Sequence, residues 1–300
     1  MKVSEMSSFA FSGLNLAITA PFDANGRIDF VRFEELIERH LAAGVDGFVF
    51  SSGTGMHAYL SPEESRSLIE RGARVVAGRA KVVAQASALL TADVVERTRF
   101  AKDCGADGVM VLPPFFEGPS DDDSVFDFYS EVAGVGLPII GYNVPQAVGV
   151  RITPQLLRRL CELPEFQAVK DSSGDLVGQV RLIGTGLNVI NGADPLVPFS
   201  LFAGCSGLIW GGANIVPRTC VAIVRAAQEK RWDDVRSLWQ LLEPIMALLW
   251  DGDYVPSVYA AAELTGYGGG SARKPFRPLS SDRILALRTA LGPLVEQEAV

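Results

Sequence analysis

Lysine is scarce in this chain, with six residues in all, and only one of them closes an apolar run. Phe166-Gln167-Ala168-Val169-Lys170 carries a single amine out of a strand-like segment. Lys2 is terminal, Lys81 opens a run, Lys102 and Lys230 belong to helical stretches, and Lys274 lies in a loop. Desolvation disfavours an ammonium ion, so a lysine emerging from apolar surroundings can present a free amine to a carbonyl carbon. The competing reading is an ion pair with a nearby acid such as Asp171. The preceding run, Ile139-Ile140-Gly141-Tyr142-Asn143-Val144-Pro145, brings a phenol to the same rim. Tyr142 can pass protons to and from a carbinolamine or a substrate hydroxyl, although a tyrosine at a strand end is also an ordinary packing residue. A third run leads into Ser51-Ser52-Gly53-Thr54-Gly55. The backbone N–H groups and hydroxyls of such a turn can hold an anion such as a carboxylate, or simply close a tight loop. Amine, phenol and anion-holding turn together are parts for imine chemistry on an oxo acid.

These groups work together only if the ends of distant runs converge. Eight short apolar runs alternate with longer segments of helical period: Leu14 to Thr19, Gly47 to Phe50, Val82 to Gln85, Gly108 to Leu112, Pro138 to Tyr142, Phe166 to Lys170, Asn188 to Asn191, and Gly207 to Trp210. Continuous apolar runs, without alternation, suit strands covered on both faces. The alternation predicts an α/β fold, a (β/α)₈ TIM barrel, whose active site forms at the carboxyl ends of the strands. Three joints repeat: Gly44-Val45-Asp46-Gly47, Gly105-Ala106-Asp107-Gly108 and Gly204-Cys205-Ser206-Gly207. Their first glycine can end a helix in the left-handed conformation. Ser61-Pro62-Glu63-Glu64 reads as a helix start. After Trp210 the pattern turns helical at Pro217 to Lys230, Trp232 to Trp250 and Pro256 to Leu264. The expectation is one domain over residues 1–300, with the barrel at about 12–230 and a C-terminal helical extension at about 231–300. A doubly wound open sheet would want a Gly-x-Gly-x-x-Gly turn after the first strand, where this chain has Thr19-Ala20-Pro21-Phe22.

A net charge of -8 and a pI near 4.9 leave no basic face for phosphates, so neither nucleic acid nor an anionic membrane is an expected partner; a small molecule is. No segment has the roughly 20 uninterrupted apolar residues that cross a bilayer. Met1 to Ser12 lacks the apolar core of a signal peptide. Cys104, Cys161, Cys205 and Cys220 are widely spaced and read as free, buried thiols, and a cytoplasmic protein is expected. The two histidines, His40 and His57, are too few for a metal-dependent aldolase, so no metal site is expected. His40, in the last turn before Gly44, is read as complementing the helix end.

Tyr142-Asn143-Val144-Pro145 and Val169-Lys170-Asp171-Ser172-Ser173-Gly174-Asp175, with Leu208-Ile209-Trp210-Gly211-Gly212-Ala213-Asn214, resemble the dihydrodipicolinate synthase and N-acetylneuraminate lyase superfamily of pyruvate-dependent class I aldolases. The similarity runs from Ala17-Ile18-Thr19-Ala20-Pro21-Phe22 to Arg273-Lys274-Pro275-Phe276-Arg277-Pro278-Leu279-Ser280. The resemblance implies Lys170 as the Schiff-base lysine with no other cofactor, Tyr142 as the proton-transfer residue, Thr54 as a third catalytic residue, and Gly53, Thr54 and Gly55 as the clamp on the pyruvate carboxylate. It also implies a homotetramer.

The chain departs from the family where the second substrate would bind. Ser52-Gly53-Thr54-Gly55-Met56 lacks the first hydroxyl and the glutamate of the family's Gly-Thr-Thr-Gly-Glu. Pro114-Phe115-Phe116 replaces the Pro-Tyr-Tyr of the proton relay, and Ala147 stands where dihydrodipicolinate synthases usually have an arginine. These changes point away from lysine-pathway activity and toward a larger or less charged partner, a 2-oxo-3-deoxy sugar acid or an aldehyde. Asp194 is a candidate for binding substrate hydroxyls, or caps the helix after it. Phe116, His57, Ile209 and Trp210 are candidate pocket walls, with core packing or plain exposure as the alternatives for Phe116 and His57. The expected function is a class I lyase joining a 2-oxo acid to an aldehyde or cleaving the product. A 2-oxo-3-deoxy sugar acid dehydratase using the same imine, a dihydrodipicolinate synthase and a non-catalytic 2-oxo-acid binding protein are its rivals.

Overall fold

The computed structural model describes residues 11–119 and 121–298. Most of the Met1 to Ser12 stretch, residues 1–10, lies outside them. Eight parallel strands close into a barrel in sequence order: β1 (Gly13–Ala17), β2 (Gly47–Phe50), β3 (Lys81–Gln85), β4 (Gly108–Val111), β5 (Ile139–Asn143), β6 (Phe166–Asp171), β7 (Val189–Asn191) and β8 (Gly207–Trp210). All eight runs read from the sequence are strands. The chain is the expected (β/α)₈ barrel, followed by C-terminal helices.

The helices are α1 (Phe30–Ala43), α2 (Pro62–Val76), α3 (Thr91–Asp103), α4 (Asp122–Ala133), α5 (Pro145–Val148), α6 (Pro154–Leu160), α7 (Leu176–Ile183), α8 (Val197–Ala203), α9 (Pro217–Gln228), α10 (Trp232–Trp250), α11 (Tyr254–Leu264) and α12 (Ser281–Glu298). Local chemistry explains several of their ends. Ser61 accepts from Glu64 N while the Glu64 side chain accepts from Ser61 N, a capping box that fixes the start of α2. Gly44 and Gly204 end α1 and α8 with positive φ, as the joints suggested. The helix α12 lies within the expected helical extension, beyond the three helical stretches named from the sequence. Arg273 ties the extension to the barrel, with its guanidinium gripping both carboxylate oxygens of Glu64 at 2.7 Å.

Packing divides into two layers. Ala17, Val49, Val83, Met110, Ile140, Ala168, Ile190 and Ile209, one residue from each strand, fill the barrel interior together with Phe11. The opposite faces of the strands join the helices in the larger core. His40 corrects its sequence reading. It is fully buried in that outer layer, stacked on Tyr267 at 5.1 Å, and its ring nitrogens meet no partner. Burial, helped by Arg39 and Arg32, drives its pKa down to about 3, so it is a neutral packing ring and supplies no charge to the helix end. All four cysteines are free; Cys205 and Cys220 are buried, whereas Cys104 and Cys161 are half-buried. No helix among the described residues is long and apolar enough to cross a membrane.

Candidate active site at the carboxyl end of the barrel

Side chains alternate along a strand, so the residues two beyond the interior layer face the barrel mouth. On β5 and β6 these are Tyr142 and Lys170. The register has Tyr142 beside Lys170, and Lys170 beside Ile190 of β7. Lys170 is 6% exposed, and its Nζ lies 4.2 Å from the centroid of the Tyr142 ring. A register shift sets this pairing. Ile139 lies opposite Phe166 whereas Ile140 lies opposite Ala168, so Gln167 is an extra residue on β6. Were Gln167 paired in unbroken register instead, Lys170 would stand beside Asn143, whose side chain faces the helices.

The ion-pair alternative for Lys170 does not form, because Asp171 points to the other face of the sheet. Its carboxylate accepts from Asn143 Nδ2 at 2.6 Å, Ser173 Oγ at 3.1 Å and Gln179 Nε2 at 3.2 Å. Burial raises the Asp171 pKa while those three bonds hold it down. Gln179 also donates to Asn191, and Asn143 accepts from Ile152 N. One buried polar network therefore locks the ends of β5, β6 and β7, which explains the Asn in Tyr-Asn-Val-Pro and the Asp after the lysine.

The turn after β2 wraps tightly. Ser51 and Met56 have positive φ, Gly55 N donates to Ser52 Oγ, and a Cβ on Gly55 would strike Ile18 O at 2.8 Å. The N–H groups of Gly53 and Thr54 donate to nothing among the described residues, as an anion-holding turn requires. His57 braces this turn. Its Nε2 donates to Ser87 O at 2.8 Å and its Nδ1 accepts from Ser51 Oγ at 3.2 Å, while burial lowers its pKa. Both ring nitrogens serve the scaffold, so its reading as a substrate contact gives way to one as a support for the turn.

A second phenol, missed in the sequence, enters from the extension. Tyr254, the first residue of α11, donates from Oη to Asp194 Oδ2 at 3.0 Å. An ideal Cβ on Gly211 would sit 2.4 Å from Tyr254 Oη and 2.5 Å from Thr54 Oγ1, so both hydroxyls converge where β8 opens into the mouth. A Cβ on Gly192, just after β7, would lie 2.3 Å from Lys170 Cε. The two glycines thus clear the seats of the lysine and the two hydroxyls. Asp194 is 2% exposed and caps no helix; burial pushes its pKa up to about 6, against the bond from Tyr254 and the charge of Lys170.

Comparison with known proteins agrees with this geometry. The family model for the dihydrodipicolinate synthetase family matches residues 10–293. The chain belongs to this family. A 4-hydroxy-tetrahydrodipicolinate synthase of Nitratidesulfovibrio vulgaris (strain DP4) is 34% identical, over 94% of this chain and 98% of its own. A crystal structure of dihydrodipicolinate synthase superposes with a TM-score of 0.90 at 32% identity, covering 95% of this chain and 99% of that one. The chloride-inhibited enzyme from Acinetobacter baumannii complexed with pyruvate superposes with a TM-score of 0.90 at 28% identity, covering 94% and 98%. The chain is accordingly a lyase of a pyruvate-dependent class I family that works through a lysine Schiff base and no external cofactor.

The remaining wall candidates divide. Ile209 belongs to the packed interior layer beneath the mouth. Trp210, one residue on, faces the helices and is 2% exposed; alternation along β8 turns it away from the pocket. Its indole Nε1 lies on the Asp194 side of Gly212 without a full hydrogen bond. Phe116 is 81% exposed in the loop after β4 and walls nothing within this chain. Gln85, at the end of β3, was not singled out from the sequence; it is buried with Oε1 unpartnered.

Proposed function

We propose that the protein is a Schiff-base lyase in which Lys170 forms the imine, Tyr142 transfers the proton at the substrate oxygen, and the Gly53-Thr54-Gly55 turn holds the 2-oxo acid carboxylate. The observation that carries this reading is a buried amine 4.2 Å over a phenol ring, with the adjacent carboxylate of Asp171 satisfied elsewhere. Tyr142 gives its proton to the carbinolamine hydroxyl as water leaves and the imine forms, and in the cleavage direction the phenolate so produced takes the C4 hydroxyl proton as the C3–C4 bond breaks. The electron pair of that bond flows through C2 to the imine nitrogen, and an aldehyde leaves. The partner is an aldehyde without a carboxylate, or the aldehyde portion of a 2-oxo-3-deoxy sugar acid, because Ala147 offers an anion nothing to bind. The protein is proposed to act as a homotetramer. Two separate apolar surfaces support this, one on the loops carrying Leu89, Leu90 and Phe116, the other on α7 and α8 with Val177 and Phe202.

Borohydride reduction in the presence of pyruvate, followed by mass spectrometry of the intact chain and its peptides, tests the mechanism. The reduced adduct is expected on Lys170 and absent from Lys170→Ala. No adduct in a folded chain that binds pyruvate would overturn the assignment. Substrate profiling then separates cleavage to pyruvate plus aldehyde from loss of water with the carbon chain intact.

A further inference from the structure

Chemistry on a pyruvate imine moves two protons: one at the oxygen on C4, the other at C3, where iminium and enamine interconvert. Removing the C3 proton from a cationic iminium needs an acceptor that ends the step neutral or anionic. A neutral phenol acting alone would end it as a high-energy oxonium, so the base must have an anion behind it. Two phenols border the mouth, and they differ in this respect. Tyr142 Oη makes no hydrogen bond among the described residues, whereas Tyr254 Oη donates to the buried carboxylate of Asp194 at 3.0 Å.

The surroundings of that pair are built for it. Gly211 lies two residues beyond the inward-facing Ile209, and a Cβ there would collide with Tyr254 Oη at 2.4 Å and with Thr54 Oγ1 at 2.5 Å. On the next residue, a Cβ on Gly212 would lie 2.8 Å from Asp194 Oδ2. Tyr254 and Asp194 are also close enough to Tyr142 and Lys170, respectively, for their charges to be felt. The other carboxylate near the lysine, Asp171, is bound into the network on the far side of the sheet.

We propose that Tyr254 and Asp194 form the general base that removes and returns the C3 proton of the imine held on Lys170. The C3–H bond breaks and its electron pair becomes the C2=C3 bond, while the C2=N⁺ pair moves onto nitrogen. The proton passes to Tyr254 Oη as the Oη proton passes to Asp194 Oδ2. One cation and one anion disappear together, so the step leaves no uncompensated charge in a buried site. Tyr254 is the catalytic residue and Asp194 acts through it. The inference rests on the Lys170 imine; Tyr142 keeps the oxygen at C4.

The test uses the full chain and pyruvate as the only probe. Methyl-proton exchange of pyruvate in D₂O, followed by NMR, reports C3 deprotonation, and borohydride trapping in parallel reports the imine. Tyr254→Phe and Asp194→Asn are expected to trap pyruvate at the wild-type concentration dependence yet exchange about 100-fold more slowly per trapped imine. Exchange within twofold of wild type in both Tyr254→Phe and Asp194→Asn would overturn the proposal. So would a fall in trapping that matches the fall in exchange, since that makes Tyr254 a binding group. Absence of trapping in the wild-type chain would instead remove the imine on which the inference rests.

Discussion

Gly192→Ala is the smallest change that should disable the lysine without touching it. The added methyl would sit 2.3 Å from Lys170 Cε and 2.3 Å from Ser172 Oγ. Restoring a carbon–carbon contact of about 3.5 Å moves Cε by about 1.2 Å. A displacement of that size at a reacting group costs about 100-fold in rate, or about 2.7 kcal/mol of barrier. Overpacking at the end of β7 adds a stability loss of about 1–3 kcal/mol, which leaves the barrel folded. The assay is the rate of adduct formation with pyruvate under single-turnover borohydride trapping, read by intact mass, with thermal melting by circular dichroism as the control for folding. A folded Gly192→Ala chain that traps pyruvate at the wild-type rate would refute the argument that this glycine is the lysine's seat.

His40 stays neutral in the folded chain down to about pH 3, while an unfolded histidine takes up a proton below its ordinary 6.5. Stability should therefore fall as pH drops from 6.5 toward 3, by up to about 1.4 kcal/mol per pH unit; in urea titrations at pH 7 and pH 4.5, His40→Phe should lose much less than wild type. Asn214 is fully buried, donates to Ala17 O at 2.8 Å and Gly211 O at 2.7 Å, and accepts from Thr19 N at 3.0 Å, latching β8 to β1. Asn214→Ala should lower the unfolding free energy by on the order of 3 kcal/mol, and a loss under 1 kcal/mol in denaturant unfolding would contradict the latch. Asp194 can accept a proton only as a carboxylate, and burial holds its pKa at about 6 among Lys170, Tyr254, Cys220 and the Trp210 indole. Exchange of pyruvate protons per trapped imine should rise with pH through about 6 and level off above it, whereas a flat profile from pH 5 to 7 would contradict the role of this group.

The barrel was legible because each unit carries its own short-range signals. Both faces of every strand are covered, so the strands appear as unbroken apolar runs, and the capping box at Ser61 and the glycines ending α1 and α8 mark helix boundaries within a few residues of chain. Lys170, the only lysine to close a run, could be singled out by type and position. Trp210 was misread, since a continuous apolar run gives no sign of which residue faces inward; the alternation becomes visible only once Ile209 is seen among the interior residues.

What the sequence by itself determined is the repeating architecture, the family, and the short list of groups able to do imine chemistry, since propensity, capping and hydrophobic period act over a few residues. The tertiary structure decided how those groups meet. The extra residue Gln167 turns Lys170 to the side of Tyr142, and that register is set by pairing between β5 and β6, which no local pattern encodes. Tyr254 reaches Asp194 and Thr54 only because α11 folds back over the end of the barrel. Its position in Asp251-Gly252-Asp253-Tyr254 carries no chemical signal, and the contact exists because packing of the C-terminal helices brings together residues far apart in the chain.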